Sequence, residues 1–252
     1  METGAGAVIV DTGSTAAMGA EIRAFAEQHL GGVAAVLNSH NHPDHWFGNA
    51  AFEDRPTLAL PQTQALCARN APDYAESLYA ILGAWMTGTK AVPPAQPLTA
   101  GTMEFGGRAL RLLPLAGHTP ADLVLIDERT GTLIAADLLF LDRAPSFPDA
   151  DAATWLAALD VLERLDISGT LPGHGPFHRS NAALVQTRAF LRATDARLRQ
   201  AAEAGLSPVE AMAAGPVPEF ATLGANPEEY IRTVAQRWGD YEIEALPVIG
   251  GA

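Results

Sequence analysis

His40-Asn41-His42-Pro43-Asp44-His45 places three of the seven histidines of this 252-residue chain within one short string. Residues i and i+2 of an extended segment point the same way, so the imidazoles of His40 and His42 can converge on one metal ion. Asp44 and His45 follow in the next turn and can face a second ion. Imidazole and carboxylate ligands suit zinc, with manganese and iron as alternatives. The string therefore predicts a metal site, against the alternative of histidines clustered on the surface.

The string leaves the carboxyl end of a predicted buried strand. Residues 7–10 and 33–37 are short apolar runs typical of buried strands, and a helix capped by Ser14 or Thr15 is predicted between them. Functional loops of open α/β sheets gather at the carboxyl ends of such strands. Asp11 follows the first strand, and we expect it to orient the ligand loop without binding metal itself.

Three further residues are candidate metal ligands. His118 and His174 lie in the glycine-flanked turns Gly117-His118-Thr119-Pro120 and Gly173-His174-Gly175, each just after a predicted strand, and glycine lets the backbone approach a crowded centre. Asp137 is predicted to end a strand before an apolar run, where a buried carboxylate needs a cation or a hydrogen-bond donor. The alternatives are two ordinary loop histidines and a turn aspartate.

The remaining elements follow from apolar periodicity and from turn residues. Helices are predicted at about residues 62–85, 152–165, 181–204 and 227–245, and strands at residues 57–60, within 98–115, at 123–126, 132–136 and about 170–171. Strands alternating with helices indicate an α/β fold, of the α+β kind, with sheets packed together and helices outside. We predict one domain over residues 1–252, in which residues 181–252 form a helical C-terminal extension.

Composition narrows the classes of partner and of compartment. The formal net charge is −13 and the basic residues are scattered, which argues against nucleic acid and against an anionic membrane surface as partners. No run reaches the roughly 18 apolar residues of a membrane span, and residues 1–6 lack a signal-peptide pattern. We expect a cytoplasmic protein, or a periplasmic one if the start is truncated. The helices after residue 181 either cap a cleft or form a homodimer face.

Several motifs, taken in order, resemble those of the metallo-β-lactamase fold superfamily. They are Asp11-Thr12-Gly13, His40-x-His42-x-Asp44-His45, Gly117-His118, Asp137 and Pro172-Gly173-His174-Gly175. The resemblance implies a four-layer αβ/βα sandwich with metals at the shared edge of two sheets. It also implies that His40, His42 and His118 bind one ion, that Asp44, His45 and His174 bind the other, and that Asp137 bridges both.

A finer resemblance and two departures accompany this match. The strings Gly48-Asn49-Ala50-Ala51-Phe52 and 117–124 are similar to those of quinoprotein relay system zinc metallohydrolases. Family members usually have glycine beside the bridging aspartate, whereas Asp137 follows Ala135-Ala136. They also usually carry one or two more strands before the Asp11 turn, so we expect the first sheet to lack its first edge strands.

The complete ligand set favours a dinuclear zinc metallohydrolase. Two divalent ions can lower the pKa of a bridging water and present hydroxide to a carbonyl centre, with Asp44 as the catalytic residue that orients the water and carries its proton. Esters, thioesters, lactones and β-lactams, as small organic substrates, all suit such a site. The alternatives are a mononuclear iron oxygenase of sulfur compounds on the same fold and a non-catalytic metal-binding protein.

Other side chains bear on the substrate or on packing. One set of large side chains either walls a cleft for an apolar substrate or belongs to the core: Trp46, Phe47, Trp85, Met86, Phe140 and Phe147. We predict that His29 is structural at a helix end, that His178 lies in a loop or at the rim of the site, and that Cys67 packs in the core.

Overall fold

A computed structural model describes residues 1–147 and 149–246 of the chain. The chain divides into two compact units, Met1–Leu115 with Ala121–Ala136, and Ala116–Pro120 with Asp137–Ala252. The described residues form two five-stranded sheets and seven α-helices. The prediction of a single domain stays a prediction.

The first sheet lies wholly within the first unit. Its strands follow the order of the chain: β1 (Glu2–Thr3), β2 (Gly6–Val10), β3 (Val33–Leu37), β4 (Thr57–Ala59) and β5 (Gln96–Pro97). Strand β1 is antiparallel to β2, and the other neighbours are parallel. The edge beside β2 therefore carries a two-residue strand, where the sequence led us to expect the edge strands to be missing.

Alternate side chains of β2 and β3 enter two different parts of the core. Val8 and Ala35 pack with Leu110 and Leu123 of the second sheet, whereas Ala7 and Val36 belong to the cluster that contains Ala26 of the first helix. Strands covered on both faces read as continuous apolar runs. This covering explains why both strands could be predicted from the sequence.

The second sheet has the strand order β10-β9-β8-β7-β6. Its strands are β6 (Gly101–Phe105), β7 (Arg108–Leu115), β8 (Asp122–Asp127), β9 (Thr132–Phe140) and β10 (Gly169–His174). Neighbours from β6 to β9 are antiparallel, and the predicted pairing of residues 123–126 with 132–136 is confirmed through contacts such as Leu125 with Ile134. Strand β9 is longer than predicted.

The helices are α1 (Ala16–His29), α2 (Pro43–Trp46), α3 (Pro61–Leu82), α4 (Ala152–Glu163), α5 (Ala182–Glu203), α6 (Pro208–Ala214) and α7 (Glu228–Ala245). As predicted, Thr15 caps α1 by accepting a hydrogen bond from the backbone of Met18. Helix α6 and strands β1 and β5 were not predicted. No helix within residues 1–147 and 149–246 combines the length and the apolar character needed to cross a membrane.

Candidate metal centre

The first unit gathers four of the predicted ligands on the loop that follows β3. The histidines His40, His42 and His45 are buried, whereas the side chain of Asp44 is 37% exposed. The ring centroid of His40 lies 4.1 Å from that of His45 and 4.8 Å from that of His42. Helix α2 begins at Pro43, whose fixed φ suits the first turn of a helix. This short helix brings Asp44 and His45 back beside the extended residues before it.

Asp11 anchors this loop, as the sequence predicted. Its carboxylate accepts hydrogen bonds from the backbone N–H of Ser39 at 2.8 Å and from the Ser39 hydroxyl at 2.7 Å. It also lies 2.8 Å from Nδ1 of His45. Asp11 has a φ of 61°, a left-handed conformation that aspartate tolerates better than most residues. The residue thus combines a rare backbone conformation with three local contacts.

These contacts determine which nitrogen of each imidazole carries the proton. If Asp11 accepts a proton from Nδ1 of His45, then Nε2 of that ring is left as a metal ligand. The Ser39 hydroxyl has one proton and gives it to Asp11, so it accepts from Nδ1 of His40, which lies 2.9 Å away. With this arrangement of protons, Nε2 of both His40 and His45 is the unprotonated nitrogen, which is the form that could bind a metal ion.

Buried neutral groups hold the rest of the loop. Asn49 donates to the side-chain oxygen of Asn38 at 2.8 Å and to the carbonyl of Val92 at 3.1 Å. Its own amide oxygen accepts from the hydroxyl of Thr12 at 2.9 Å, and Asn38 donates to the carbonyl of His45 at 3.0 Å. A buried polar group that lost its partner would carry a full desolvation penalty. These bonds therefore specify one conformation of the loop.

The second unit brings together the three ligands that are far apart in its sequence. The Oδ2 atom of Asp137 lies 3.4 Å from Nε2 of His118 and 3.4 Å from Nε2 of His174. Two atoms that are each about 2.1 Å from one zinc ion at a tetrahedral angle lie about 3.4 Å apart. The donor types and these separations fit a divalent ion such as zinc. His118 and Asp137 are buried, and the side chain of His174 is 25% exposed.

Aromatic side chains enclose these ligands. The His118 ring packs edge-on against Trp155, with 5.0 Å between centroids, and Phe140 stacks on His174 at 5.4 Å. Gly117 has a φ of 145°, and a Cβ atom there would lie 2.3 Å from Cα of Trp155. Only glycine lets the turn before His118 approach α4 this closely.

One expectation about the site is wrong, and one alternative that the sequence left open is decided. Asp137 does not end its strand, because β9 continues to Phe140 through residues that are buried and apolar. The aromatic set belongs to the core: Trp46, Phe47, Met86, Phe140 and Phe147 are at most 3% exposed. Only Trp85 of that set is accessible, at 78%, so these side chains say nothing about an apolar substrate.

The remaining singled-out residues lie where they were expected. His29 is exposed in the last turn of α1 and packs on Phe25. His178 is exposed, and its Nδ1 accepts a hydrogen bond from the backbone of Ser180 at 3.1 Å. Cys67 is fully buried, and this burial together with the charge of Asp11 raises the pKa of its thiol to about 12.

The comparisons with known proteins agree with this architecture. The chain matches the family model described as metallo-beta-lactamase superfamily over residues 1–174. No curated protein matches the chain. Among solved structures, it is similar to a metallo-beta-lactamase from Pontibacter korlensis, with 23% identity, a TM-score of 0.64, and coverage of 76% of this chain and 85% of that one.

Two further solved structures give similar values. A metallo-beta-lactamase from Hirschia baltica is 22% identical, with a TM-score of 0.58 and coverage of 76% and 83%. The FIM-1 metallo-beta-lactamase from Pseudomonas aeruginosa, solved in a mono-zinc form, is 20% identical, with a TM-score of 0.60 and coverage of 76% and 81%. Such identities show the fold alone, and they confirm the predicted fold class.

The family match covers the Asp11 turn and every candidate ligand from His40 to His174. The finer likeness to quinoprotein relay system zinc metallohydrolases stays a prediction. The family model matches more than half of this chain, and the chain therefore belongs to the metallo-beta-lactamase superfamily.

Proposed function

We propose that this protein is a metal-dependent hydrolase that cleaves a carbonyl bond in a small organic substrate. The observation that carries the proposal is the convergence of His118 and His174 on one carboxylate oxygen of Asp137, with each histidine at a separation from that oxygen that suits a metal ion bound by both. Membership of the superfamily supports it.

We further propose a dinuclear zinc centre, with manganese and iron as the alternative metals. One ion would be held by His40, His42 and His118, and the other by Asp44, His45 and His174, with Asp137 bridging both. All seven are His or Asp residues whose nitrogen and oxygen atoms suit these metals. Two divalent ions would supply Lewis-acid polarisation of the substrate carbonyl and a lowered pKa for water.

Asp11 and Asp44 have different roles in this proposal. Asp11 keeps the imidazoles of His40 and His45 in the tautomer that offers Nε2, through its contacts with Ser39 and His45. Asp44 is the proposed catalytic residue. Its partial exposure lets water reach it, and its Oδ2 lies 3.5 Å from Nε2 of His45. It would orient the attacking water and accept its proton.

The proposed substrates are esters, thioesters, lactones and β-lactams. All four share an electrophilic carbonyl with a leaving group, which is what Lewis-acid polarisation and an activated water act on. The buried aromatics do not narrow this set, because they pack in the core.

The test combines metal content with turnover. Protein purified without added metal is analysed by elemental mass spectrometry, and hydrolysis of a chromogenic cephalosporin, a lactone and a thioester is followed before and after chelation. We expect close to two zinc ions per chain and turnover that chelation abolishes and zinc restores. His174→Ala should lose metal and activity.

His29→Ala is the matched control, because His29 is an exposed histidine at the end of α1 and is not a proposed ligand. It should keep the metal content and turnover of the unmodified protein. About one iron per chain with oxygen consumption and no hydrolysis would contradict the proposal and favour the oxygenase alternative. Full metal loading without turnover on any of the three substrates would favour a binding protein.

A further inference from the structure

The strand that carries Asp137 is held from outside the sheet by side chains of two helices. Beyond Asp137, the carbonyl of Leu138 accepts a hydrogen bond from the indole Nε1 of Trp155 on α4, at 3.0 Å. Two residues further along the strand, the backbone of Phe140 is hydrogen-bonded by the side chain of Thr187 on α5. Helix α5 begins at Ala182, after the region of the chain that the family model matches.

Thr187 makes a reciprocal contact with a single residue of the strand. Its hydroxyl oxygen accepts from the backbone N–H of Phe140 at 2.9 Å, and its hydroxyl donates to the carbonyl of the same residue at 3.1 Å. Thr187 is fully buried and Phe140 is 1% exposed, so neither backbone group has water as a substitute. One hydroxyl thus fixes both polar groups of Phe140.

Phe140 is in turn the residue that links this contact to the ligands. Its ring stacks on the imidazole of His174 with an interplanar angle of 27°, and lies 5.9 Å from the ring of His118. The next residue, Leu141, donates its backbone N–H to the carbonyl of His174 at 3.0 Å. A shift of Phe140 would therefore move the ring and the backbone against which His174 is placed.

Gln186 adds contacts to two more residues, and we call the bonds of Thr187 and Gln186 to residues 140, 142 and 143 the clamp. Its side-chain oxygen accepts from the backbone of Asp142 at 3.2 Å, and its amide donates to the carbonyl of Arg143 at 3.4 Å. Two consecutive residues of α5 therefore bind three of the four residues that follow Leu139. Asp142 has a φ of 60°, an unfavourable conformation for most side chains, which these contacts help to hold.

We propose that Thr187, with Gln186 beside it, is a positioning residue that sets the geometry of Asp137 and His174 for metal binding. The proposal rests on the proposed metal centre and deepens it. The helix would act through Phe140 and not by touching the metal. Residues that orient ligands in this way commonly change metal affinity about 10- to 100-fold when they are removed.

The test measures zinc affinity by competition with a chromophoric chelator, and the visible spectrum of the cobalt-substituted protein. Thr187→Val keeps the shape of the side chain and removes both hydrogen bonds. We expect it to weaken zinc binding about 10-fold or more and to alter the cobalt spectrum, which reports ligand geometry. Thr187→Ser keeps the hydroxyl and should restore an affinity within about 2-fold of the unmodified protein.

Thr194→Val is the matched control. Thr194 is also a buried threonine on α5, and within the described part of the chain it makes no hydrogen bond to β9. If Thr194→Val lowers the melting temperature as Thr187→Val does but leaves zinc affinity and the cobalt spectrum unchanged, the positioning role is supported over a general packing role.

The outcomes separate this inference from the proposed function. An unmodified protein that binds no zinc or cobalt would contradict the metal centre itself. An unmodified protein that binds both, with a folded Thr187→Val of equal affinity and spectrum, would overturn the positioning role alone. If Thr187→Val does not fold, Gln186→Met decides: a loss of at least about 2-fold in affinity supports the clamp, and an unchanged affinity overturns it.

Discussion

The ligand loop after β3 and the region made of β9, β10 and the His118 turn hold the proposed metal ligands by different means. In the loop, polar groups hold the chain: the buried Asn38 and Asn49 and the partly buried Asp11 form hydrogen bonds with the backbone and with each other's neighbours. In the second region, the imidazole of His118 lies against the ring of Trp155, and that of His174 lies against the ring of Phe140. Hydrogen bonds restrict the direction in which a side chain points, whereas ring packing restricts the space that it can occupy.

This difference predicts which kind of substitution will destabilise each region. Polar networks tolerate little change in chemistry, because each lost partner leaves a buried group unsatisfied. Aromatic packing tolerates small chemical changes but loses much stability when volume is removed. Substitutions of the two kinds can therefore be used to break one region while the other is kept.

The largest expected effect is in the aromatic region. Trp155→Ala removes a fully buried ring and its bond to Leu138, and should lower the free energy of unfolding by about 3–5 kcal/mol. Urea denaturation measures it. Trp85→Ala is the control, because Trp85 is 78% exposed, and it should change stability by less than about 0.5 kcal/mol. Equal effects of the two would show that the ring packing around His118 is not a source of stability.

The polar region should respond almost as strongly to a smaller change. Asn49→Ala leaves the partners Asn38, Thr12 and Val92 without their contacts and should cost about 2–3 kcal/mol of unfolding free energy. Asn181→Ala serves as control: Asn181 is exposed and makes no side-chain capping bond to α5. A cost below about 0.5 kcal/mol for Asn49→Ala would mean that the network does not hold the loop.

A milder change should separate metal affinity from folding. Asp11→Asn keeps the shape and tolerates the left-handed backbone, but replaces one acceptor oxygen that faces Ser39 and His45. We expect zinc affinity to fall about 10- to 100-fold, measured by chelator competition. Asp54→Asn, at an exposed carboxylate paired with Arg23, should leave zinc affinity unchanged.

Ala136→Gly is expected to stabilise the second region. Ala136 precedes Asp137 with a φ of 45°, a conformation that costs a residue with a Cβ atom about 1 kcal/mol. Glycine, which family members usually have beside this aspartate, removes that cost. The melting temperature should rise by a few degrees. A fall of similar size would show that the loss of the buried methyl group outweighs the relief of strain.

Cys67 gives the smallest signal and reports on the first region alone. It packs with Trp46 and Phe47 of the ligand loop, and burial raises the pKa of its thiol from 9.0 to about 12. In the unfolded chain the thiol ionises first, so its contribution to stability is complete below about pH 9 and is lost as pH rises toward 12. Melting temperatures of the unmodified protein and Cys67→Ala should converge above pH 9.

The direct readout is thiol labelling. At pH 8 the folded protein should react with a thiol reagent only after the packing around Cys67 opens. Asn49→Ala, which lies in that part of the chain, should therefore speed labelling more than Trp155→Ala does. Fast labelling of the unmodified protein would contradict the burial of Cys67.

The ligand loop was predictable because its ligands are adjacent in the sequence and follow a strand that is apolar throughout. The β9–β10 pair was harder, since an aspartate disfavours strands and Asp137 therefore read as a strand end. Past Asp137, β9 is the sheet neighbour of β10, and its residues Leu138 and Phe140 are also bonded by Trp155 and Thr187. Such contacts join residues far apart in the chain and leave no local pattern.

Two omissions differ in kind. Helix α6 had a local signal, because Ser207 and Glu210 form a capping box with a proline at the first helical position. Asn38 and Asn49 had none, since asparagine is also what an ordinary exposed loop contains. Their role depends on burial, which the residue types alone do not reveal.

The buried amides of Asn38 and Asn49 carry no charge, and this has a consequence for how the protein meets changing surroundings. Neutral hydrogen bonds neither titrate nor respond to screening by salt, unlike contacts between ions. The part of the ligand loop that these two amides hold should therefore keep its shape across a broad range of acidity and ionic strength. A dependence of metal binding on pH can then be ascribed to groups outside this amide network, since metal ligands must be deprotonated to bind.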